Sequence, residues 1–134
     1  MPLRMHYVES VDVFVEQLEG EITMEAAQAM KEEEIASGDF GSDTAVLCVV
    51  HDVEFQFGKV RDFGAWLRDA YAGRNPRAAY LISGTKAAAL MTLLQNQFRD
   101  RPVEVFSTLE AAVKWLGRDP EQCTKETLGI DLPI

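Results

Sequence analysis

Thr44-Ala-Val-Leu-Cys-Val-Val50 is the stretch of sequence that decides the fold, because it is an apolar run that follows a loop-like segment. A strand that is apolar on both sides must be covered on both faces, which is typical of a central strand in a parallel sheet. The run from Ala78 to Ile82 has the same character. Both runs therefore predict buried strands with helices packed against them.

Helix patterns alternate with these strands. Thr23 is a plausible N-cap for a first helix that extends to about Ser37. A second helix is predicted from near Gly58 to Gly73, and a third opens at Ser83-Gly84-Thr85. The last helix opens at Ser107 or Thr108 and packs through its apolar side chains.

Three further strands complete the order of elements. Met5 to Val8 and Val11 to Leu18 have the composition of a β-hairpin, which Gly20 is predicted to end, and Val103 to Phe106 is the last strand. The order β-β-α-β-α-β-α-β-α predicts an α/β fold. We expect a mixed five-stranded sheet with an N-terminal antiparallel strand, four helices and right-handed β-α crossovers.

The sheet needs a cover on both faces. If all crossovers advance in one direction, the helices gather on one face, and a second copy of the chain could cover the other face. We therefore expect a homodimer. Residues 1–120 are assigned to the domain and residues 121–134 to an irregular C-terminal tail.

The charge of the chain is unevenly distributed. The net charge is -9, and residues 1–60 carry 13 acidic and 3 basic side chains, whereas residues 61–134 carry 9 and 10. An acidic surface repels phosphate backbones and anionic lipid headgroups, so no nucleic acid is expected as a partner.

The cellular compartment is predicted from the length of the apolar runs and from the number of cysteines. No apolar run approaches the roughly 20 residues that cross a bilayer, and the first residues lack the apolar stretch of a secretion signal. No membrane insertion is expected. Cys48 and Cys123 do not form a disulfide framework, which favours a reducing compartment, and the chain is predicted to be cytoplasmic.

Two short segments carry a resemblance to a known family. Leu18-Glu-Gly-Glu-Ile-Thr23 leads into the first helix, and Val103-Glu-Val-Phe-Ser-Thr-Leu-Glu-Ala-Ala-Val-Lys-Trp-Leu116 forms the last strand and helix. With the element order, they resemble bacterial members of the SpoIIAA-like STAS family, which is related to CRAL-TRIO lipid-transfer domains. The resemblance implies a non-enzymatic regulatory or binding module that acts through protein–protein contacts and needs no cofactor. The alternative is a carrier of a small apolar or lipid-like ligand.

The phosphorylation switch of that family is missing. Its anti-sigma-factor antagonists carry a phosphorylatable serine where the third strand meets its helix. The matching stretch here is His51 to Gly58, and the sequence from Ala45 to Ile82 contains no serine or threonine. We therefore predict no phosphorylation site.

The turn Ser83-Gly84-Thr85-Lys86 is a candidate anion site. It follows a parallel strand and opens a helix, where free N–H groups and the helix dipole favour a phosphate or carboxylate. Lys86 would supply the charge. Ordinary helix capping also explains a serine and a threonine at this position, and an enzyme that uses this turn is the least favoured class.

Other reactive groups are interpreted as structural. His51, Asp52 and Glu54 are too few for a metal site and are predicted to be a solvated or loop-stabilising trio. The run Lys31-Glu-Glu-Glu34 is predicted to be a solvated helix face on which nothing raises a carboxyl pKa. No catalytic residue and no metal ligand is predicted.

Three aromatic residues are candidates for ligand or partner binding. Phe55 and Phe57 flank the end of a predicted strand and could line an apolar pocket or a dimer contact. Trp66 widens the apolar arc of the second helix and could anchor a partner. The competing interpretation for Trp66 is an extra core residue at the rim of the sheet.

Overall fold

The computed structural model of the chain describes residues 2–56, 60–97 and 101–134. Within these ranges the chain forms five strands, four α-helices and one short 3-10 turn, Glu9–Val11. The strands are β1 (Leu3–Val8), β2 (Val13–Thr23), β3 (Ala45–Gln56), β4 (Ala78–Ser83) and β5 (Val103–Phe106). The helices are α1 (Met24–Ala36), α2 (Val60–Ala70), α3 (Ala87–Gln97) and α4 (Leu109–Trp115).

The strands form one mixed sheet in the order β1-β2-β3-β4-β5. β1 is antiparallel to β2, and the remaining neighbours are parallel. The predicted fold class is therefore confirmed. β3 is the central strand, and its residues Ala45 to Val50 are all buried, as its apolar run on both faces requires.

The two faces of the sheet have different covers. α1, α2 and α3 pack on one face, against side chains that include Phe14, Leu18 and Val50. The opposite face, with Val15 and Leu47, is covered by α4 and by apolar residues of the C-terminal segment, namely Cys123, Leu128, Ile130 and Leu132. A second copy, which the sequence suggested as a possible cover for this face, is not needed for that purpose, because the chain covers the face itself.

Polar side chains of β1 and β2 hold the C-terminal segment on the sheet. The Gln17 amide donates to the carbonyl oxygen of Gly129 at 3.2 Å and accepts from the N–H of Asp131 at 2.7 Å. The His6 ring bonds the Leu128 carbonyl oxygen at 2.7 Å. A segment without helix or strand thus satisfies part of its backbone by bonding to side chains of the sheet.

Some element boundaries differ from the predicted ones. Gly20 does not end β2, which continues to Thr23 with a register shift between Glu19 and Gly20. The register skips Asp52 of β3 at this point, so Asp52, with a φ of +48°, is the extra residue of the bulge, while Gly20 on β2 has a φ of +79° that glycine tolerates without strain. α3 begins at Ala87 rather than at the Ser83 turn. The predicted N-cap at Thr23 is confirmed, since its hydroxyl accepts from the N–H of Ala26 at 3.1 Å.

Candidate functional site

Three charged side chains are buried between α1 and the sheet. Glu16 lies on β2, and Lys31 and Glu34 lie one turn apart on α1, with side-chain exposures of 2%, 5% and 0%. We call these three residues the charged cluster. The prediction that Lys31 and Glu34 belong to a solvated face is wrong, because they continue the stripe of α1 that begins with Ala27 and Met30 and faces the core.

The ammonium group of Lys31 is the centre of the charged cluster. Its Nζ atom lies 2.5 Å from Glu16 Oε2 and 3.4 Å from Glu34 Oε1, and it donates to the Tyr71 hydroxyl at 3.2 Å. A lysine ammonium has three donors, and three oxygens surround it. The burial of this lysine is therefore compensated by its partners.

Two carboxyl oxygens of the cluster, Glu16 Oε2 and Glu34 Oε2, accept no hydrogen bond of good geometry from the described residues. Glu16 Oε2 is held by its ion pair with the Lys31 ammonium instead. Burial and the negative charge of Glu16 raise the pKa of Glu34 to about 9. Burial opposes ionisation of Glu16 as well, but the charge of Lys31 and hydrogen bonds hold the pKa of Glu16 below its usual value.

The cluster consequently holds one proton between its two carboxyl groups at neutral pH. Glu34 is a neutral acid, and its O–H can donate to the Glu16 carboxylate with which it interacts. Glu16 and Lys31 are both ionised, since Glu16 raises the pKa of Lys31 although burial alone would lower it. This arrangement makes the buried site electrically neutral.

A small cavity adjoins the charged cluster. Its volume is about 30 Å³, and its lining consists of Glu16, Leu18, Ala27, Met30, Lys31, Cys48, Phe55, Phe63, Tyr80 and Leu94. Such a volume accommodates one or two water molecules, whereas pockets for organic ligands measure roughly 300 Å³ or more. Burial also raises the pKa of the Cys48 thiol, which keeps it protonated and a weak nucleophile.

The aromatic residues predicted to bind a ligand or partner lie in different environments. Phe55 lines the cavity and packs against the core. Trp66 is half-buried against the same core and stacks on Phe63, with ring centroids 5.8 Å apart. Phe57 lies outside the described residues.

The Ser83 to Lys86 turn is bonded to the end of β3. The Asp52 carboxylate accepts from the N–H of Thr85 at 2.8 Å and from its hydroxyl at 3.3 Å. Lys86 Nζ lies 3.5 Å from Glu54 Oε2. The chain thus places its own carboxylate where the sequence predicts an external anion, and Asp52 stabilises the turn.

A chain of hydrogen bonds continues from this turn to the C-terminal segment. The Ser83 hydroxyl donates to the carbonyl oxygen of Pro133 at 2.9 Å and is 2.9 Å from His51 Nδ1. Because the hydroxyl has one proton, His51 Nδ1 is the donor in the second bond. His51 Nε2 lies 3.5 Å from Asp52 Oδ2. In the parts of the chain that the structure describes, no three metal-binding side chains converge.

A groove runs between β1 and α1 at the edge of the sheet, and sequence inspection did not predict it. Its volume is about 520 Å³, and its lining consists of Pro2, Leu3, Arg4, Met5, Ala26, Ala29, Met30 and Glu33. We call it the edge groove. A sequence signal exists in retrospect, because the small residues Ala26 and Ala29 lie three apart on α1 and leave room beside it.

The backbone of β1 is available along this groove. The carbonyl oxygen of Pro2 accepts from the N–H of Glu19, so Pro2 points its carbonyl group at β2. Successive residues of an antiparallel strand alternate in this respect, so Leu3, Met5 and Tyr7 point their N–H and C=O groups away from β2. No strand in the described ranges pairs with that edge.

Fold and sites together define an α/β domain with a buried charged cluster and an open edge groove. Comparison of the chain with protein-family models, with curated proteins and with solved structures gives no match. Every helix in the described ranges is too short or too polar to span a membrane.

Proposed function

We propose that this chain is a non-enzymatic binding module that recognises a protein partner along the edge groove. The observation that carries the proposal is the coincidence of an unpaired strand edge with a largely apolar groove of about 520 Å³ beside it. An extended segment of a partner can add to such an edge as a further strand. Its backbone would bond to Leu3, Met5 and Tyr7, and alternate side chains would enter the groove.

The chemistry of the interior supports a module without catalysis. The charged cluster is shielded from solvent, and the cavity beside it is too small for a substrate of more than a few atoms. The N–H of Thr85 donates to Asp52, and the Ser83 hydroxyl bonds both His51 and the carbonyl oxygen of Pro133, so these groups already have partners within the chain. The small cavity also gives little support to the alternative of an apolar-ligand carrier.

Family membership and cellular context complete the proposal. The element order and the two segments Leu18 to Thr23 and Val103 to Leu116 support a SpoIIAA-like STAS module of the bacterial cytoplasm. The homodimer stays a prediction. The argument for it from an uncovered sheet face no longer applies, because the chain itself covers that face.

Hydrogen exchange combined with peptide selection tests the proposal. Short random peptides displayed on phage are selected on the purified chain, and amide exchange is followed by NMR with and without a selected peptide. We expect the N–H groups of Leu3, Met5 and Tyr7 to exchange quickly in the free chain and slowly in the complex. Arg4 and His6, which face β2, should be protected in both states.

Met5→Pro provides the matching variant. Proline at this position removes one outward N–H group and the Met5 side chain from the groove, and it leaves the pairing of β1 with β2 intact, because edge strands tolerate proline where the N–H faces outward. Selected peptides should lose affinity for this variant while its circular dichroism stays that of the parent. Peptides that bind Met5→Pro as well as the parent, or that protect other residues, would contradict the proposal.

A further inference from the structure

We propose that the segment recognised by the edge groove is extended, apolar and basic: it inserts apolar side chains between β1 and α1 and places a lysine or arginine beside Glu33. This inference rests on the proposed function, since it specifies the partner of the same groove. The occupant to which it commits is a segment of another protein with this chemistry.

The apolar requirement follows from the floor of the groove. Leu3 and Met5 of β1, which are partly exposed, and Met30 of α1, which is buried, line it. An extended segment presents every second side chain to the same face, so two apolar residues separated by one can reach this floor. Covering it would remove apolar surface from water.

The basic requirement follows from the rim. Glu33 lines the groove, and Glu25 and Glu32 are also exposed on α1, whose one basic residue, Lys31, is buried in the charged cluster. Arg4 is the basic residue in the lining, and it is paired with Asp131 at 2.8 Å. Within the lining, the carboxylate of Glu33 is therefore the charge that a partner's cation can pair with.

Lysine and arginine fit this combination of floor and rim. Their aliphatic stems can lie along the apolar floor while the charged end reaches the carboxylate of Glu33. An acidic segment would meet like charges along α1, so the groove discriminates against it. The pair would be partly exposed, which makes its contribution modest and dependent on salt.

Fluorescence anisotropy with designed peptides tests the inference. The first peptide has groove-facing positions Lys-Val-Val-Lys separated by threonines, so that a lysine reaches Glu33 in either strand direction. The second has glutamate in place of both lysines. We expect the lysine peptide to bind roughly fivefold more tightly at low salt and this advantage to shrink at about 300 mM NaCl.

Charge-reversal variants separate a specific contact from general attraction. Glu33→Lys should abolish or invert the preference for the lysine peptide. Glu121→Lys is the matched control, because it makes the same change at an exposed position of the C-terminal segment, outside the lining of the groove. The Glu121→Lys control should keep the preference for the lysine peptide. Its preference should fall only by the small amount that the change in net charge causes in both variants.

The outcomes distinguish the two proposals. If both peptides bind equally and both lose affinity for Met5→Pro, the basic requirement is wrong while the proposed function stands. If Glu33→Lys and Glu121→Lys weaken the lysine peptide equally, the contact at Glu33 is wrong. If neither peptide binds, or if Met5→Pro binds as the parent does, the proposed function and this inference both fail.

Discussion

Lys31 Nζ lies 2.5 Å from Glu16 Oε2 in the interior of the protein, where the two side chains are 5% and 2% exposed. Removing two charges from water costs several kcal/mol for each, on the order of the attraction that they recover in a medium of low polarity. Such a pair contributes little net stability compared with apolar residues. The loss of one partner, in contrast, leaves a buried charge without compensation.

Lys31→Met should therefore destabilise the fold strongly. It leaves two carboxyl groups facing each other without a cation, and we expect the free energy of unfolding in urea at pH 7 to fall by about 3 kcal/mol. Lys114→Met is the control, because Lys114 forms an exposed pair with Glu110, and its replacement should cost less than about 1 kcal/mol. A loss for Lys31→Met as small as that of the control would show that the buried pair is not formed.

The two carboxyl groups should respond differently to replacement by an amide. Glu34 is a neutral acid at pH 7, and glutamine also offers a donor, so Glu34→Gln should cost less than about 1 kcal/mol. Glu16→Gln removes the ionised partner of Lys31 and should cost about 3 kcal/mol. Urea unfolding of both variants measures the difference, and equal losses would contradict the assignment of the proton to Glu34.

Stability should depend on pH through Glu34. Burial and the charge of Glu16 raise the pKa of this carboxyl from 4.5 to about 9. Between these values the unfolded chain has an ionised carboxylate whereas the folded chain keeps the proton. The folded state then binds more protons, so rising pH favours unfolding. Glu16, with a lowered pKa, and Lys31, with a raised pKa, do not oppose this change within the same window.

Comparison with Glu34→Gln isolates this effect from the other titrating groups. The variant cannot release a proton at this position, so its stability relative to the parent should rise by about 2 kcal/mol or more from pH 5 to pH 9. Urea titrations of both proteins at several pH values give the difference. A difference that does not change with pH would contradict the raised pKa.

Gly84→Ala should destabilise the turn after β4. Gly84 has a φ of +100°, and a Cβ atom there would overlap the carboxylate of Asp52. We expect a loss of about 2 kcal/mol or more, measured by thermal unfolding, because the strain adds to the loss of the Asp52 bond to Thr85. Gly117→Ala is the control: its φ is +79° with nothing within 4 Å of the added atom, so it should cost about 1 kcal/mol.

The architecture was predictable because hydrophobic patterning controls it. Thr44 to Val50 and Ala78 to Ile82 are apolar on both sides, which is typical of buried strands in a parallel sheet. The cover of the second face was missed because residues 121–134 contain only scattered apolar residues and no periodic pattern. Their burial depends on side chains such as Gln17, which are distant in sequence.

The charged cluster could not be predicted from the local sequence. In α1, Lys31 and Glu34 stand among the exposed residues Glu32 and Glu33, and a charged helix segment ordinarily faces water. The partner that makes their burial possible, Glu16, lies on another element. The Ser83 to Lys86 turn was a candidate anion site, but the sequence does not reveal that the carboxylate of Asp52 bonds to the N–H of Thr85 there.

The buried pair also restricts how α1 can be seated against β2. A rotation of α1 by one residue would place Glu32 or Met30 where Lys31 now lies, so Glu16 would face a like charge or an apolar side chain. A slide by one turn, about 5.4 Å, would separate the ammonium from both carboxyl groups. A misaligned helix therefore costs more free energy here than it would in a contact made only of apolar side chains. The interior charges thus specify one position of α1 on the sheet.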